Sequence, residues 1–506
     1  MKLKYILLII MATCVLQGCS KFLDIVPKDK QTAEQLYATK GGVYIAVNGI
    51  YNGISASDLY GRVMTYEALD IMSRRYTVNP TNTYFNNLAG NSYGQSTVAS
   101  TLSRVWQRAY ELILASNILM EQVHKQEGVL SPLEAGIIEG EMLAVRAFLH
   151  FDMLRLFGPR WNDNPDDLSI PYNESTKVTV LPLLPFSQIK DNIIRDLNRA
   201  EELLANDPVI ARGPMAFEEE NESVQLRYRQ FRFNYYGVKA LKARVYLYCG
   251  DKVNALIAAK ALLEDPKVHQ HFPPVDPIKL LSNLTDPDRV FSSEVLTGIY
   301  FKNRDQAFTS YFGVDVASAT QALQPRANYL TTRGNLFELG GASWLADEQL
   351  FDYRAISQWE RAAGGFEGHV FTKYKSIRQP AATADNPEPE HFFSRMISLL
   401  RLSEVFYIAA ECEPTRDGAF HWLNIMRVRR GLPEILPATF TAYTDAQFAN
   451  IISMEYLREF FGEGQIFFYF KRLARNMSSG ENGVAAAAFN YTEAAYKPPL
   501  PTREMK

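Results

Sequence analysis

Apolar positions recur at helical spacing in several long blocks of the chain. Trp106, Tyr110, Ile113 and Leu114 fall at i, i+4, i+7 and i+8, which puts them on one face of a helix. Leu143, Ala147, Phe151 and Leu154 repeat the pattern, with Ser131-Pro132 ahead of them as a helix start signal. Val238, Leu241, Val245 and Tyr248 mark a third helix, which Gly250-Asp251 breaks before an alanine-rich partner over 252–263. Leu399, Leu402, Phe406 and Ala409, then Ala419, Trp422, Leu423 and Met426, give a further pair that Gly431-Leu432-Pro433 stops.

Helix pairs of this size are similar to tetratricopeptide repeats, in which small and aromatic residues sit where two antiparallel helices meet; Ala243, Tyr246, Ala255 and Ala259 fit those positions. The pattern predicts a mostly α fold, with about four helix pairs forming a curved scaffold and no large continuous sheet. The scaffold is expected over about 32–54, 100–265 and 395–475, within a single domain spanning 32–506. Between these blocks lie two loop-rich insertions, 55–99, dense in Asn, Ser, Thr, Gly and Tyr, and 266–394, dense in Pro, Gly and aromatic residues. Loops this long on a rigid scaffold are where binding residues concentrate.

The N-terminus carries the most specific local signal. Lys2 and Lys4 precede an apolar run from Tyr5 to Met11 that continues weakly to Leu16. That run is too short for a ~30 Å hydrocarbon core, so it reads as a secretory leader over 1–18. Leu16-Gln17-Gly18-Cys19 resembles a bacterial lipobox, in which the Cys19 thiol receives a diacylglyceryl group and becomes the mature N-terminus. Residues 19–31 then form a tether, and two or three acyl chains suffice for stable anchoring. The alternative is an ordinary secretory signal with an incidental cysteine.

Charge and composition narrow the chemistry. Net charge is −3 with 53 basic and 56 acidic residues, which leaves no basic field for nucleic acid. Beyond Cys19 only Cys249 and Cys412 remain, either two buried free thiols or one disulfide. No GxSxG, phosphate loop, GxGxxG or HExxH motif occurs, and His269-Gln270-His271 is the one close histidine pair. The acidic run Glu218-Glu219-Glu220 reads as a solvated face. No cofactor or metal is expected. A glycosidase needs only two facing carboxylates, which a sequence does not display. Aromatic residues, 27 Tyr, 30 Phe and 5 Trp, are numerous enough to serve both core and ligand surfaces. Trp106 and Trp422 sit on helix faces and read as core, whereas Trp161, Trp344 and Trp359 lie near Gly, Pro or Asp and are candidate platforms.

Several segments in common order resemble the SusD/RagB family of outer-membrane lipoproteins. They are Cys19-Ser20-Lys21-Phe22-Leu23-Asp24, Gly49-Ile50-Tyr51-Asn52, and Gly140-Glu141 through Arg146-Ala147-Phe148 to Arg155-Leu156-Phe157-Gly158. Ile194-Arg195-Asp196-Leu197 follows, then Leu402-Ser403-Glu404-Val405 to Ala410-Glu411, and Leu423-Asn424, Arg427, Arg429 and Gly431-Leu432-Pro433. Near the end, Glu455, Arg458, Glu459, Glu463-Gly464, Phe467, Lys471-Arg472 and Leu500-Pro501 complete the series. Ile466 and Tyr469 depart from it, standing where the family usually has Arg and Asp.

The resemblance implies a surface-exposed, non-catalytic subunit of the outer membrane. Such a subunit captures oligosaccharide and delivers it to a TonB-dependent, SusC-like transporter. A peptide-binding family member is the main alternative, and a surface glycoside hydrolase a more distant one. The family places its ligand groove on loops between the early helices and on the middle insertion. In this chain the corresponding candidates are Asp70, Arg74, Arg75, Tyr84, Phe85, Tyr93, Tyr311, Tyr329 and Trp344. Asp70 with Arg74 or Arg75 would bond hydroxyls, and the rings would stack on sugar faces.

Overall fold

The computed structural model describes residues 33–214, 226–281, 287–313, 320–325, 352–361, 369–377, 392–476 and 492–501. Cys19, the acidic run at 218–220, Tyr329 and Trp344 lie outside the described residues. The helices that build the scaffold and the site are α1 (Lys40–Ile54), α2 (Ala68–Met72), α3 (Thr83–Ala89), α4 (Ser96–Lys125), α5 (Pro132–Phe157) and α6 (Phe186–Leu203). They continue as α7 (Tyr235–Tyr248), α8 (Lys252–Leu263), α9 (Leu402–Cys412), α10 (Arg416–Arg429), α11 (Asp445–Phe460) and α12 (Gln465–Arg472). Packing runs in one series, α1 on α4, then α4 through α9 each on the next of these helices, as helix-pair repeats do.

Helix α5 is the centre of this series. Ser131 caps it with Glu134 in a reciprocal capping box and Pro132 opens its first turn, so its start is fixed locally. It is buried nearly all round, and its polar residues are therefore paired. Arg146 grips Asp196 of α6 in a fork (2.6 and 2.9 Å), Asp152 accepts from Tyr60 Oη at 2.7 Å, and Glu141 meets the buried Arg229. At the α7–α8 junction Ala243, Ala255 and Ala259 are fully buried, which lets the two helices approach closely. Gly250 turns the chain between them at φ +72, where a side chain would be strained, and Asp251 caps α8 through the Asn254 N–H.

The strands are short. Among the described residues they form four antiparallel two-stranded ribbons: Tyr76–Thr77 with Gln324–Pro325, Leu168–Ile170 with Leu184–Pro185, Val295–Tyr300 with Met396–Arg401, and Trp359–Arg361 with His369–Phe371. The first ribbon clips the early insertion to the middle one.

Cys249 and Cys412 are buried free thiols, and burial pushes the Cys412 thiol up to about 12. His269 and His271 each point a ring nitrogen at a different backbone carbonyl, of Leu263 and Ile210. Trp106 and Trp422 are core residues, and so is Trp359, which packs on Phe371 and Phe461 instead of offering a platform.

A buried charge cluster joins the C-terminal helices to the middle insertion. Glu459 of α11 meets Arg430 (2.6 Å), Arg354 (3.2 Å) and Arg401. Arg354 also holds Asp352 (2.7 Å) and Glu455 (2.8 Å), and Arg430 holds Glu294 (2.6 Å). Glu455 takes Arg458 and Arg427, while Glu463 takes Lys373 and Arg401. Burial pushes the Glu459 carboxyl up, but Arg430 and Arg401 together outweigh it and hold it well below the usual carboxylate range. At the two positions that depart from the family pattern, Ile466 is fully buried and Tyr469 stacks on Tyr456 with ring centres 4.2 Å apart.

Candidate functional site

The two insertions meet beside the N-terminal half of α4. Asn82 caps α3 by accepting the Phe85 N–H at 3.0 Å, and its amide reaches across to the Thr320 carbonyl at 2.8 Å. This cap sets Tyr84 on the outer face of α3. From the middle insertion, residues Phe308–Phe312 form a π-helical turn that carries Tyr311. Leu323 donates to the Tyr311 carbonyl at 2.7 Å, so the clip at Gln324–Pro325 also fixes this turn.

A cleft of about 390 Å³ opens here, lined by Arg62, Tyr84, Ser96, Thr97, Ser100, Thr101 and Arg104. One polar chain crosses its floor. The Tyr84 hydroxyl donates to Glu67 Oε1 at 3.2 Å and also meets the Thr101 hydroxyl. Arg62 pairs with Glu67 Oε2 and reaches the Tyr311 hydroxyl. Arg104 donates to Ser100 Oγ at 3.0 Å and Thr101 Oγ1 at 3.1 Å. Glu67 is buried beneath this chain; burial raises its pKa, and Arg62 and the Tyr84 hydroxyl counter that shift. Tyr84 and Tyr311 are half-buried. Behind Tyr311, Tyr66 makes an aromatic wall with Phe312 and Tyr374, at ring-centre distances of 5.6 and 5.1 Å.

The other sequence-derived candidates sit behind this cleft. Asp70 is fully buried and accepts the Gly462 N–H at 2.7 Å. Arg75 is buried over the Phe470 ring and donates to the Ser73 carbonyl at 2.9 Å. Arg74 is half-buried with φ +61. Phe85 is in the core against the Tyr84 ring, and Tyr93 is buried with its hydroxyl on the Ala495 carbonyl. Of the described candidates the structure thus brings Tyr84 and Tyr311 together and turns Asp70, Arg75, Phe85 and Tyr93 inward. Sequence reasoning missed Arg62, Glu67, Arg104 and the α4 hydroxyls. A signal for Arg104 existed: Ser100, Thr101, Gln107 and Arg108 occupy its i±3 and i±4 positions, so a helical arginine lacks a local carboxylate. Two larger depressions occur elsewhere, of about 560 Å³ at Asn117, Arg146 and Glu174, and about 590 Å³ at Lys190, Arg195 and Tyr246. One aromatic ring, Tyr246, lines them; here Tyr84 lines the cleft and Tyr311 adjoins it through Arg62. Among the described residues no group of three or more His, Cys, Asp or Glu could hold a metal ion.

Comparison with known proteins places this architecture. A model described as "SusD family" matches residues 365–501, and one described as "Starch-binding associating with outer membrane" matches residues 21–213. The two matches do not overlap and together cover more than half of the chain. A SusD-like carbohydrate binding protein from Bacteroides vulgatus superposes with a TM-score of 0.65 at 17% identity, over 92% of this chain and 96% of that one. A SusD superfamily protein from Bacteroides thetaiotaomicron gives 0.62 at 18% identity, over 92% and 97%. Another from Bacteroides vulgatus gives 0.61 at 21%, over 92% and 96%. No curated protein matches the chain. The chain belongs to the SusD/RagB family.

Proposed function

We propose that this protein is a lipid-anchored, non-catalytic glycan-binding subunit of the outer membrane, which captures oligosaccharide and passes it to a TonB-dependent, SusC-like transporter. The observation that carries this reading is the cleft itself. Two tyrosine rings stand beside guanidinium and hydroxyl groups, on loops clipped to a rigid helical scaffold. A sugar presents apolar ring faces rimmed by hydroxyls, and such a wall and rim match both parts. The relatives' descriptions as carbohydrate-binding and starch-binding point the same way. Tyr84 and Tyr311 would stack on the sugar, with Tyr329 and Trp344 of the middle insertion as further platforms and Arg74 at the margin. Asp70, Arg75, Phe85 and Tyr93 support the loops from behind.

Calorimetry with the purified full chain tests this. Tyr84→Ala and Tyr311→Ala should each weaken binding of whichever oligosaccharide the wild type takes by roughly three- to tenfold, the scale of one ring contact. Unchanged affinity in both variants would move the binding surface elsewhere. For the anchor, Cys19→Ala should shift the protein from the membrane fraction to an unanchored precursor; fractionation identical to wild type would remove lipidation from the reading.

A further inference from the structure

The cleft's hydrogen-bonding capacity is lopsided. Among the described residues its one carboxylate is Glu67, which is already committed, with Oε1 accepting from Tyr84 and Oε2 from Arg62. The next of the described carboxylates along this face, Asp58 and Glu111, lie against Arg108, one turn further along α4. Arg104 is exposed at the cleft and bonds only the neutral hydroxyls of Ser100 and Thr101. The charged group that feels its field is Glu67, whose oxygens are taken. Two guanidinium groups therefore share one buried, saturated carboxylate, and what remains open toward a ligand is donor capacity and positive charge. A neutral sugar would use those donors through its hydroxyls, but it would leave the extra charge unmatched. A carboxylate or sulfate matches both at once, because the guanidinium fork pairs with planar or tetrahedral oxyanions in a bidentate way.

We propose that the ligand of this cleft is an acidic oligosaccharide, with a ring-borne carboxylate or sulfate seated on Arg104 while neighbouring sugar faces lie on Tyr84 and Tyr311. This rests on the glycan-binding reading above and adds to it the ligand's charge. Ser100 and Thr101 hold the guanidinium along α4, so it is oriented before the ligand arrives, which reduces the ordering cost of binding. Arg62, tied to Glu67 and Tyr311, keeps the facing wall in place and prevents Glu67 from repelling the incoming anion.

The test is a panel of oligosaccharides of equal length, with uronate-bearing, sulfated and neutral members, read by calorimetry at low and high salt on wild type, Arg104→Gln and Arg104→Lys. A galacturonate oligomer and its methyl ester form the central pair, because they differ in charge and little else. The tightest wild-type ligand should be acidic and bind at least about tenfold more tightly than its neutral counterpart, with affinity falling as salt rises. Arg104→Gln should lose roughly ten- to a hundredfold toward the acidic ligand and only about two- to threefold toward neutral members, which lose one hydroxyl contact but no charge pairing, and should flatten the salt dependence. Arg104→Lys, which keeps the charge but not the fork, should fall between. If a neutral member binds most tightly, or Arg104→Gln leaves the acidic ligand's affinity unchanged, the acidic assignment is overturned and the glycan-binding reading stands. If no member binds wild type, both fall together. Arg104 is exposed, so equal thermal midpoints of wild type and variants would separate a binding effect from misfolding.

Discussion

Replacing Glu459 by Gln should destabilise the protein by about 3–5 kcal/mol, because it removes one partner from a buried ion cluster and leaves the others uncompensated. Wild type places the cations Arg354, Lys373, Arg401, Arg427, Arg430 and Arg458 against the carboxylates of Glu294, Asp352, Glu455, Glu459 and Glu463. Glu459 touches Arg354, Arg401 and Arg430 itself, so its loss strands charge at three points in a site from which water is excluded. A glutamine keeps the shape and one acceptor, but its amide would point N–H groups at a guanidinium. The loss should show in denaturant unfolding at neutral pH. The sign of the pH effect follows from the depressed carboxyl: its contribution is full above the unfolded-state value near 4 and is lost as pH falls through the folded one, so variant and wild type should converge in acid. A midpoint unchanged at neutral pH would mean that water or local rearrangement replaces the cluster.

That cluster also shows how far the sequence could be read. The spacing of Glu455, Arg458, Glu459 and Glu463 was visible as part of a family pattern, and so was Arg427. Their partners Asp352, Arg354 and Lys373 lie in the middle insertion, far along the chain, and no local periodicity points to them. Helices fared better, because each is marked by its own buried face: Trp106 in α4, Leu143 to Leu154 in α5, and the alanines of α7 and α8. The site was legible in part. Tyr84 and Tyr311 stood out as aromatic residues in polar insertions, and the structure puts both near Arg62. The inward turn of Asp70, Arg75 and Tyr93 was not legible, since it depends on Gly462, Phe470 and Ala495, which arrive from the other end of the chain. Arg104 was hidden for the opposite reason. A charged residue on the outer face of a long helix is the expected solvent face, and only the missing carboxylate at its i±3 and i±4 positions distinguishes it.

Asp70→Asn should make the protein more stable at pH 8, by several kcal/mol, and the gain should shrink as the pH is lowered toward 4. The side chain is fully buried; Oδ2 accepts the Gly462 N–H at 2.7 Å, and the Gly464 N–H also faces the carboxyl. Burial pushes this carboxyl up to about 8, with Glu463 adding to the rise and the Gly462 N–H and Arg75 opposing it. A carboxyl that titrates near 4 in the unfolded chain and near 8 in the native one binds more protons when folded throughout that window, so it makes wild-type stability fall as pH rises from about 4 to about 8. At about 1.4 kcal/mol per pH unit, a window this wide corresponds to an effect on the order of 5 kcal/mol at its upper end. Asparagine keeps an acceptor for the Gly462 N–H, carries no charge, and does not titrate, so the penalty disappears. Lys373, which burial lowers to about 8, titrates at the edge of the same range, but it is present in both proteins and cancels in their difference. Denaturant unfolding of wild type and Asp70→Asn at several pH values between 4.5 and 8.5 reads that difference directly. A gap that widens with pH and levels off above about 8 places the carboxyl as a buried scaffold group that the native fold holds protonated. A gap that stays constant with pH, or a variant less stable than wild type at pH 8, would show instead that Asp70 is ionised in the native state and that its charge supports the fold.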